Sequence, residues 1–143
     1  MASDPSPCTC HRLRRAARRV TQIYDRELAA VGLSLNQYSI LRRSRHGPRA
    51  LCELAEELGM DRTTLSRGLK PLLEAKLLQE TRGEDARQRL VELSATGRKR
   101  LEAARPHWRR AQRAIDETFG MTRIARLHRD LDALVDGLHG ETA

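Results

Sequence analysis

The chain has 143 residues, enough for one domain with a buried core, and carries 27 Lys and Arg against 19 Asp and Glu. The formal net charge of +8 favours a nucleic acid as partner over an anionic membrane surface. No apolar run approaches the ~18 residues that span a bilayer, and no signal-peptide core is present, so we expect a cytoplasmic protein without a membrane span. With 3% aromatic residues, base stacking on single strands is disfavoured.

The N-terminal third predicts a short leader followed by two helices. Residues 1–7 hold no core-forming side chains and are expected to be mobile. From Cys8, apolar residues recur at helical spacing as far as Val31, with arginines clustered near the start, and Gly32 ends this helix. A second helix is predicted to begin at Ser34 or Leu35 and to run up to Gly47-Pro48.

The stretch from Leu51 to Leu78 predicts two helices joined by a tight turn. Apolar residues at helical spacing define the first helix, Gly59 ends it, and Asp61 is positioned to cap the second. The outer face of that second helix carries hydroxyls and cations, which suit phosphates and base edges in a major groove. These residues are Arg62, Thr63, Thr64, Ser66, Arg67 and Lys70. We interpret the pair as a helix-turn-helix whose second helix reads DNA, the alternative being an ordinary helical hairpin with a solvated face.

After Leu78 the apolar period changes from 3.6 to 2, which predicts strands. Residues 79–82 and 89–93 form two antiparallel strands in this interpretation, joined by the polar hairpin GEDARQ. A helix-turn-helix followed by such a hairpin is a winged helix, which makes the ordinary hairpin less favoured. Arg87 at the tip is placed to enter a minor groove, with Asp85 expected to hold its guanidinium.

Two long helices are predicted after the wing. The first contains Pro106, which predicts a kink or a break in hydrogen bonding, and it ends at Gly120. The last helix carries an apolar stripe from Ile124 to Leu138. The terminal helices hold more apolar surface than one winged helix buries, so a homodimer is the economical explanation. A monomer whose helices fold back over the wing domain is the alternative.

The predicted fold class is therefore mainly α, with a small two-stranded β wing (α+β). The winged helix-turn-helix occupies residues 33–97, and long N- and C-terminal helices form a dimerisation region at residues 8–32 and 98–143. In a dimer, two recognition helices about one duplex turn (~34 Å) apart would read a pseudo-palindrome.

This order of elements resembles the MarR family of bacterial transcriptional regulators over nearly the whole chain. The resemblance rests on the stretches LAEELGMDRTTLSRGLKPLLEAKLL, GEDARQRLVELSATG and GLSLNQYSIL. It implies a homodimer that binds double-stranded DNA at an operator, represses nearby genes, and is released by an effector at the junction between dimerisation helices and DNA lobes. It also implies that the six polar residues of the recognition helix contact DNA and that Arg87 is the minor-groove arginine.

One candidate effector is an organic hydroperoxide. The N-terminal region is similar to peroxide sensors of the OhrR type, with Cys10 and Tyr24 matching the reactive cysteine and its tyrosine partner. Leu35 stands where that group has a second tyrosine, and Tyr38 lies one turn later. A helix N-terminus and neighbouring cations favour the reactive thiolate of Cys10. Cys8 is the candidate resolving thiol toward the other chain or a small thiol, since a bridge within CxC would be strained.

The other candidate effector is a small aromatic acid or phenol, the commonest effector class of the resembled family. Arg15, Tyr24 and Tyr38 are the candidate pocket residues for such a ligand. A metal is less favoured, because Cys8, Cys10 and His11 have no matching second cluster, and no cofactor is expected. Cys52 is interpreted as a packed small hydrophobe.

Other classes of function fit the sequence less well. No phosphate-binding glycine loop, zinc-protease helix motif or GxSxG elbow is present, so an enzyme is not expected. An architectural protein that binds DNA without reading its sequence is the more serious alternative, and the basic run from Arg98 to Arg113 would serve it. A protein-interaction module is least favoured, because the recognition helix shows no exposed aromatic residues.

Overall fold

The computed structural model describes residues 5–85 and 87–139. Within these ranges the mainly α fold with a small wing is confirmed. The first four residues of the predicted leader, Ala86 in the wing tip and residues 140–143 lie outside the described residues. The helices are α1 (Thr9–Leu28), α2 (Leu35–Arg43), α3 (Leu51–Leu58), α4 (Arg62–Glu74), α5 (Ala95–Phe119) and α6 (Met121–His139). The strands are β1 (Arg49–Ala50), β2 (Leu78–Arg82) and β3 (Arg89–Leu93).

The connection from α1 to α2 is set by its local sequence. α1 passes into a short 3-10 turn that ends at Gly32, whose φ of 70° favours a residue without a Cβ. Ser34 then caps α2: its hydroxyl accepts a hydrogen bond from the backbone N–H of Gln37, and the Gln37 side chain accepts one from the N–H of Ser34. The predicted start of α2 is confirmed.

The end of α2 lies earlier than predicted. The helix stops at Arg43 rather than at Gly47-Pro48, and the buried Ser44 follows it. The Ser44 hydroxyl donates to the carbonyl of Ile40 at 2.8 Å, so it competes with the regular backbone bonding of another helical turn. Residues 45–48 form a turn instead, and this turn delivers the chain to β1.

The helix-turn-helix forms as predicted. Gly59 follows α3 with a φ of 65°, a left-handed conformation that suits glycine. Asp61 caps α4, because its carboxylate accepts a hydrogen bond from the backbone N–H of Thr64 at 2.7 Å. Gly68 brings α4 close to α2, since a Cβ at this position would lie 3.0 Å from Cδ1 of Ile40.

The sheet has three strands in the order β1-β3-β2, and both pairings are antiparallel. β2 and β3 are the predicted wing, with Leu78 opposite Leu93 and Arg82 opposite Arg89. Val91 and Leu93 lie on one buried face, as predicted. β1 was not predicted: its two residues pair with Val91 and Leu90, and they tie the start of α3 to the centre of the sheet.

α5 is a single continuous helix of 25 residues that includes Pro106, so the break in hydrogen bonding predicted there does not end the helix. Pro106 removes the N–H that would bond to the carbonyl of Glu102. Both residues are exposed, so water can satisfy that carbonyl. The helix begins at Ser94, whose hydroxyl accepts a hydrogen bond from the N–H of Gly97 at 2.9 Å.

One continuous core joins the helix-turn-helix to the adjoining parts of α1 and α5. Leu28, Leu54, Leu65 and Val91 are among its fully buried side chains. α6 packs on α5 through Ile124. Further along its apolar stripe, Leu127, Leu134 and Leu138 are exposed and Leu131 is half-buried. In the described part of the chain, no helix combines the length and the apolar character of a membrane span.

Candidate nucleic-acid interface

The candidate interface begins with the outer face of α4. Leu65, Leu69 and Leu72 turn inward and are buried, which fixes the rotation of the helix about its axis. The remaining positions therefore point outward. The structure places all six predicted contact residues on this exposed face: Arg62, Thr63, Thr64, Ser66, Arg67 and Lys70. Three cations and three hydroxyls can contact phosphates and base edges together.

The N-terminal end of α4 is held by Asp61. Hydrogen bonds from Thr64, first from its backbone N–H, lower the pKa of the exposed Asp61 carboxyl, and the nearby Arg67 cation adds to the effect. The carboxylate thus occupies the positive end of the helix dipole. As a result, the first turn of α4 keeps one orientation at the surface of the protein.

The wing tip carries Arg87, which is exposed. The prediction that Asp85 holds the Arg87 guanidinium is corrected: the Asp85 carboxylate accepts from the backbone N–H of Arg87 at 3.0 Å. The carbonyl of Asp85 also accepts from the N–H of Gln88 at 2.9 Å. Asp85 therefore fixes the backbone of the turn. The conformation of that backbone sets the direction in which the Arg87 side chain leaves the wing. Below the tip, Arg89 on β3 forms an ion pair with Glu80 on β2.

A cavity of about 320 Å³ lies between α4, the start of α3 and the wing. Arg62 and Ser66 line it from α4, and Arg87 and Arg89 line it from the wing. The recognition helix and the wing therefore face one another across a basic groove. Sequence reasoning missed Arg89. The period of 2 places it on the same face as the buried Val91 and Leu93, and it is exposed because it is the first residue of β3, beside the wing tip.

Cys52 also lines this groove and is exposed, so its interpretation as a packed residue is wrong. On α3 the buried positions are Leu54 and Ala55, with Leu51 and Leu58 half-buried beside them. A helix turns 100° per residue, so Cys52 falls outside the arc that these four define.

A stack of aromatic rings occupies the junction between the DNA lobe and the outer helices. The Trp108 ring on α5 lies 6.1 Å from the ring of Tyr24 on α1 and 6.2 Å from the ring of Tyr38 on α2, with both pairs stacked. The Arg42 guanidinium covers Trp108 at 5.9 Å from the ring centroid. Two of the three residues predicted to line a pocket for an aromatic acid therefore meet here, against a tryptophan that the sequence analysis did not single out.

Arg15, the third predicted pocket residue, lies elsewhere. It stands nine residues before Tyr24 on the exposed part of α1, about 13 Å away along the helix axis. The structure therefore does not bring Arg15 together with Tyr24 and Tyr38 within one chain.

At the same junction, a chain of hydrogen bonds begins at the Tyr24 hydroxyl. It donates a hydrogen bond to Oε1 of Gln112, and Nε2 of Gln112 donates to Asp116 at 3.0 Å. Burial raises the pKa of Tyr24, and the negative charge of Asp116 raises it further. The phenol is therefore held protonated, as its role as donor requires.

Both N-terminal cysteines are exposed free thiols. Cys8 is the N-cap of α1, and its Sγ accepts a hydrogen bond from the backbone N–H of His11 at 3.4 Å. Cys10 is the second residue of the helix. Both sulfurs thus lie at the end where unpaired backbone N–H groups point outward. Among the residues the structure describes, no group of three or more His, Cys, Asp or Glu side chains is arranged to hold a metal ion.

The helix-turn-helix and the wing match known proteins. Residues 39–80 match the model of the bacterial regulatory proteins of the ArsR family. The HTH-type transcriptional regulator YwoH of Bacillus subtilis is 31% identical over 93 residues, 64% of this chain and 68% of that protein. The M. tuberculosis transcriptional regulator MosR, solved in complex with DNA, is 35% identical with a TM-score of 0.80, over 92% of this chain and 98% of that one. The transcriptional repressor CouR, bound to a 23-mer DNA duplex, is 27% identical with a TM-score of 0.80, over 90% and 92% of the two chains.

The fold and the exposed basic face thus define a DNA-binding transcriptional regulator of the winged-helix class. More narrowly, the chain belongs to the MarR family of winged helix-turn-helix regulators, as its sequence resemblance predicted.

Proposed function

We propose that the protein is a homodimeric repressor that binds a pseudo-palindromic operator and is released by an effector. The observation that carries the proposal is the basic groove between α4 and the wing, where Arg62 and Arg87 face one another across one cavity. In the proposed complex, α4 enters the major groove with its six exposed polar residues. Arg87 enters the neighbouring minor groove, whose negative potential favours a guanidinium.

The exposed apolar faces of the outer helices support a dimer. A monomer folded back over the wing would cover α6, yet the stripe of α6 is open beyond Ile124: Leu127, Leu134 and Leu138 are 40%, 36% and 52% exposed. Leu13, Val20 and Phe119 add exposed apolar surface on α1 and α5. Apolar surface of this extent on neighbouring helices is typical of an interface between copies. We propose residues 8–32 and 98–143 as the dimerisation region and residues 33–97 as the DNA-binding region.

For the effector, the aromatic stack supports a small aromatic acid or phenol. Tyr24, Tyr38 and Trp108 lie where α1, α2 and α5 meet, so a ring inserted there would separate the DNA lobe from the dimerisation helices. Such a ligand shifts the dimer toward a spacing of its two α4 helices that no longer matches one duplex turn.

The exposed thiols support the second candidate effector, a hydroperoxide. The Cys10 thiolate would attack the outer oxygen of the peroxide, so that an S–O bond forms, the O–O bond breaks, and an alcohol leaves after protonation. The resulting sulfenic acid would condense with the Cys8 thiol of the other chain or with a small thiol, releasing water. Both sulfurs are accessible to such reagents.

The experiment is an anisotropy titration of labelled DNA from the region upstream of the gene. It uses reduced protein, protein treated with organic hydroperoxide, and the treated protein after dithiothreitol, each with and without small aromatic acids. Loss of tight binding on oxidation and its return with thiol supports the redox effector, with Cys10→Ser as the control. Loss with an aromatic acid alone supports the ligand. A reporter fused to the upstream region, with and without the regulator, tests repression.

The same titration separates the proposal from an architectural role. A sequence reader loses affinity unevenly across DNA sequences when Arg67 is changed to Ala. A nonspecific binder loses it uniformly, mainly through its dependence on salt. Uniform loss, with no DNA sequence preferred in any state, contradicts the proposed operator binding.

A further inference from the structure

We propose that the protein binds a phosphoryl group, as free phosphate or as part of a larger ligand, in a cavity between α2 and α5. The cavity has a volume of about 100 Å³. Its walls include four arginines and one carboxylate: Arg42 from α2, Arg45 from the turn that follows α2, and Arg98, Glu102 and Arg105 from α5. These residues belong to neither α4 nor the wing, so the site is separate from the proposed DNA interface.

The positive charge around this cavity is only partly compensated, because four arginines share it with a single carboxylate, Glu102. Neighbouring arginines show what compensation looks like, because Arg49 bonds to Glu57 at 2.6 Å, and Arg43 lies 3.3 Å from the same carboxylate. Over residues 5–85 and 87–139, by contrast, no carboxylate oxygen lies within 4.0 Å of the guanidinium nitrogens of the four cavity arginines. Four positive charges around one small cavity repel one another, and a bound dianion relieves that repulsion.

Three of the arginines are already held in place. Arg42 lies over Trp108, Nε of Arg45 donates to the His46 ring at 2.8 Å, and Nη2 of Arg98 donates to the carbonyl of Arg45 at 3.4 Å. Side chains that are positioned before a ligand arrives lose less conformational freedom on binding it. Their remaining N–H groups are available to an anion.

Size and geometry favour a phosphoryl group over an aromatic acid. Pockets for drug-sized ligands measure about 300–1,000 Å³. A cavity of about 100 Å³ admits an anionic group but no ring beside it. Guanidinium forks bind phosphate oxygens in pairs, and a phosphate offers more acceptor oxygens and more charge to four forks than a carboxylate does.

The site is coupled to the aromatic stack through two of its own wall residues. Tyr38 and Arg42 both line the cavity, and both contact Trp108, which stacks on Tyr24 of α1. An anion that holds α2 against α5 therefore bears on the junction between the DNA lobe and the outer helices. This regulatory part rests on the proposed function, in which that junction controls DNA binding.

Thermal unfolding in sodium phosphate, against sodium chloride of equal ionic strength and at one protein concentration, tests the site without DNA. We expect phosphate at about ten times its Kd to raise the Tm by about 4 °C. The double variant Arg98→Gln, Arg105→Gln is expected to lose this shift. The control Arg109→Gln, Arg113→Gln makes the same change at exposed positions of the same helix and should keep it. Any general stabilisation of proteins by phosphate affects both variants equally, so the difference between their Tm shifts reports on the site alone.

Equal shifts in the wild type and the Arg98→Gln, Arg105→Gln variant overturn the site. A shift with sodium benzoate as large as that with phosphate overturns the phosphoryl assignment. Phenyl phosphate separates the sources: stronger stabilisation than by free phosphate identifies the head group of a larger ligand, and weaker stabilisation identifies phosphate itself.

Anisotropy with operator DNA tests the regulatory part. Phosphate at constant ionic strength should weaken DNA binding of the wild type by about fivefold or more, and leave the double variant unaffected. A Tm shift without this change overturns the regulatory part alone. If the double variant binds DNA more weakly without phosphate, with a smaller salt slope, its arginines are DNA contacts and the small-anion site is wrong. Failure of the wild type to bind any upstream DNA instead contradicts the proposed function.

Discussion

Gly97, in the first turn of α5, lies directly against the backbone carbonyl of Leu77. A Cβ built on Gly97 would stand 1.9 Å from that oxygen, far inside any allowed contact. The same carbonyl accepts a hydrogen bond from the N–H of Ser94 at 3.1 Å. The strand leaving the recognition helix and the helix leaving the wing are thus joined at one point.

Gly97→Ala is therefore expected to be destabilising, because backbone on both sides must move to admit a methyl group. We expect the free energy of unfolding to fall by about 1–3 kcal/mol, the usual cost of overpacking. Urea denaturation measures it. Gly137→Ala is the matched control: its Cβ meets nothing within 4 Å, and it should raise helix stability by about 0.5–1 kcal/mol. Equal stability of Gly97→Ala and wild type would contradict the contact.

The Asp61 cap predicts a pH dependence of stability. Because Thr64 hydrogen bonds lower the folded-state pKa of Asp61 below its ordinary 3.8, the stabilisation is complete above that value. It is lost as the pH falls through the lowered pKa. Asp61→Ala should remove this acid-sensitive part of the stability curve and weaken DNA binding, while Asp61→Asn keeps a neutral cap. Denaturation curves of the three proteins between pH 2 and 7 (about the range of carboxyl titration) make the comparison.

Tyr24 predicts a pH dependence of stability in the alkaline range. Burial and then Asp116 raise the pKa of Tyr24 above 10.0. The contribution of the protonated phenol to the free energy of unfolding is therefore complete below pH 10.0 and is lost as the pH rises through the raised pKa. The chain has two tyrosines, so the absorbance of Tyr24→Phe isolates Tyr38, and the difference from wild type gives Tyr24. Titration of Tyr24 at or below pH 10.0 would contradict the buried hydrogen-bonded phenol.

Arg87→Ala should weaken operator binding by about 1–3 kcal/mol, the size of one well-placed DNA contact. The reason is the loss of the guanidinium that the wing presents beside α4. Anisotropy at a fixed salt concentration measures the change, with Arg113→Ala as an exposed arginine outside the proposed interface. Unchanged binding by Arg87→Ala would show that the wing does not contact DNA.

Leu134→Glu should dissociate the proposed dimer, because it places a charge in the apolar stripe of α6. Arg129→Glu changes the opposite face of the same helix and should leave the dimer intact. Sedimentation equilibrium measures the molar mass of each, against 16.2 kDa for one chain. A monomeric wild type, or a Leu134→Glu dimer of unchanged affinity, contradicts the assigned interface.

Much of the DNA-binding region follows from short-range signals. Gly59 and Asp61 define the turn of the helix-turn-helix because a left-handed φ and a cap each demand particular residue types. The wing follows from the change of period after Leu78. The six outer residues of α4 follow from the positions of its buried leucines.

The missed features depend on contacts between distant residues. β1 has two residues and no pattern of its own, and it exists because Val91 and Leu90 offer a free edge. The continuity of α5 depends on Pro106 being on an exposed side. Trp108 was not singled out, because its stacking on two tyrosines depends on the convergence of α1 and α2 on α5. Cys52 was the avoidable error, because the periodicity of α3 alone places it outside the buried arc.

The short strand β1 also determines how the two DNA-reading parts behave mechanically. Its pairing with β3 roots the wing on the residues immediately before α3, so the wing and the helix-turn-helix are anchored to one base. In the proposed complex, the tip of the wing and α4 therefore keep a constant distance from one another along the duplex. Inserting one base pair between the two contacted segments would disengage one of them, whereas a hinged wing would follow the insertion.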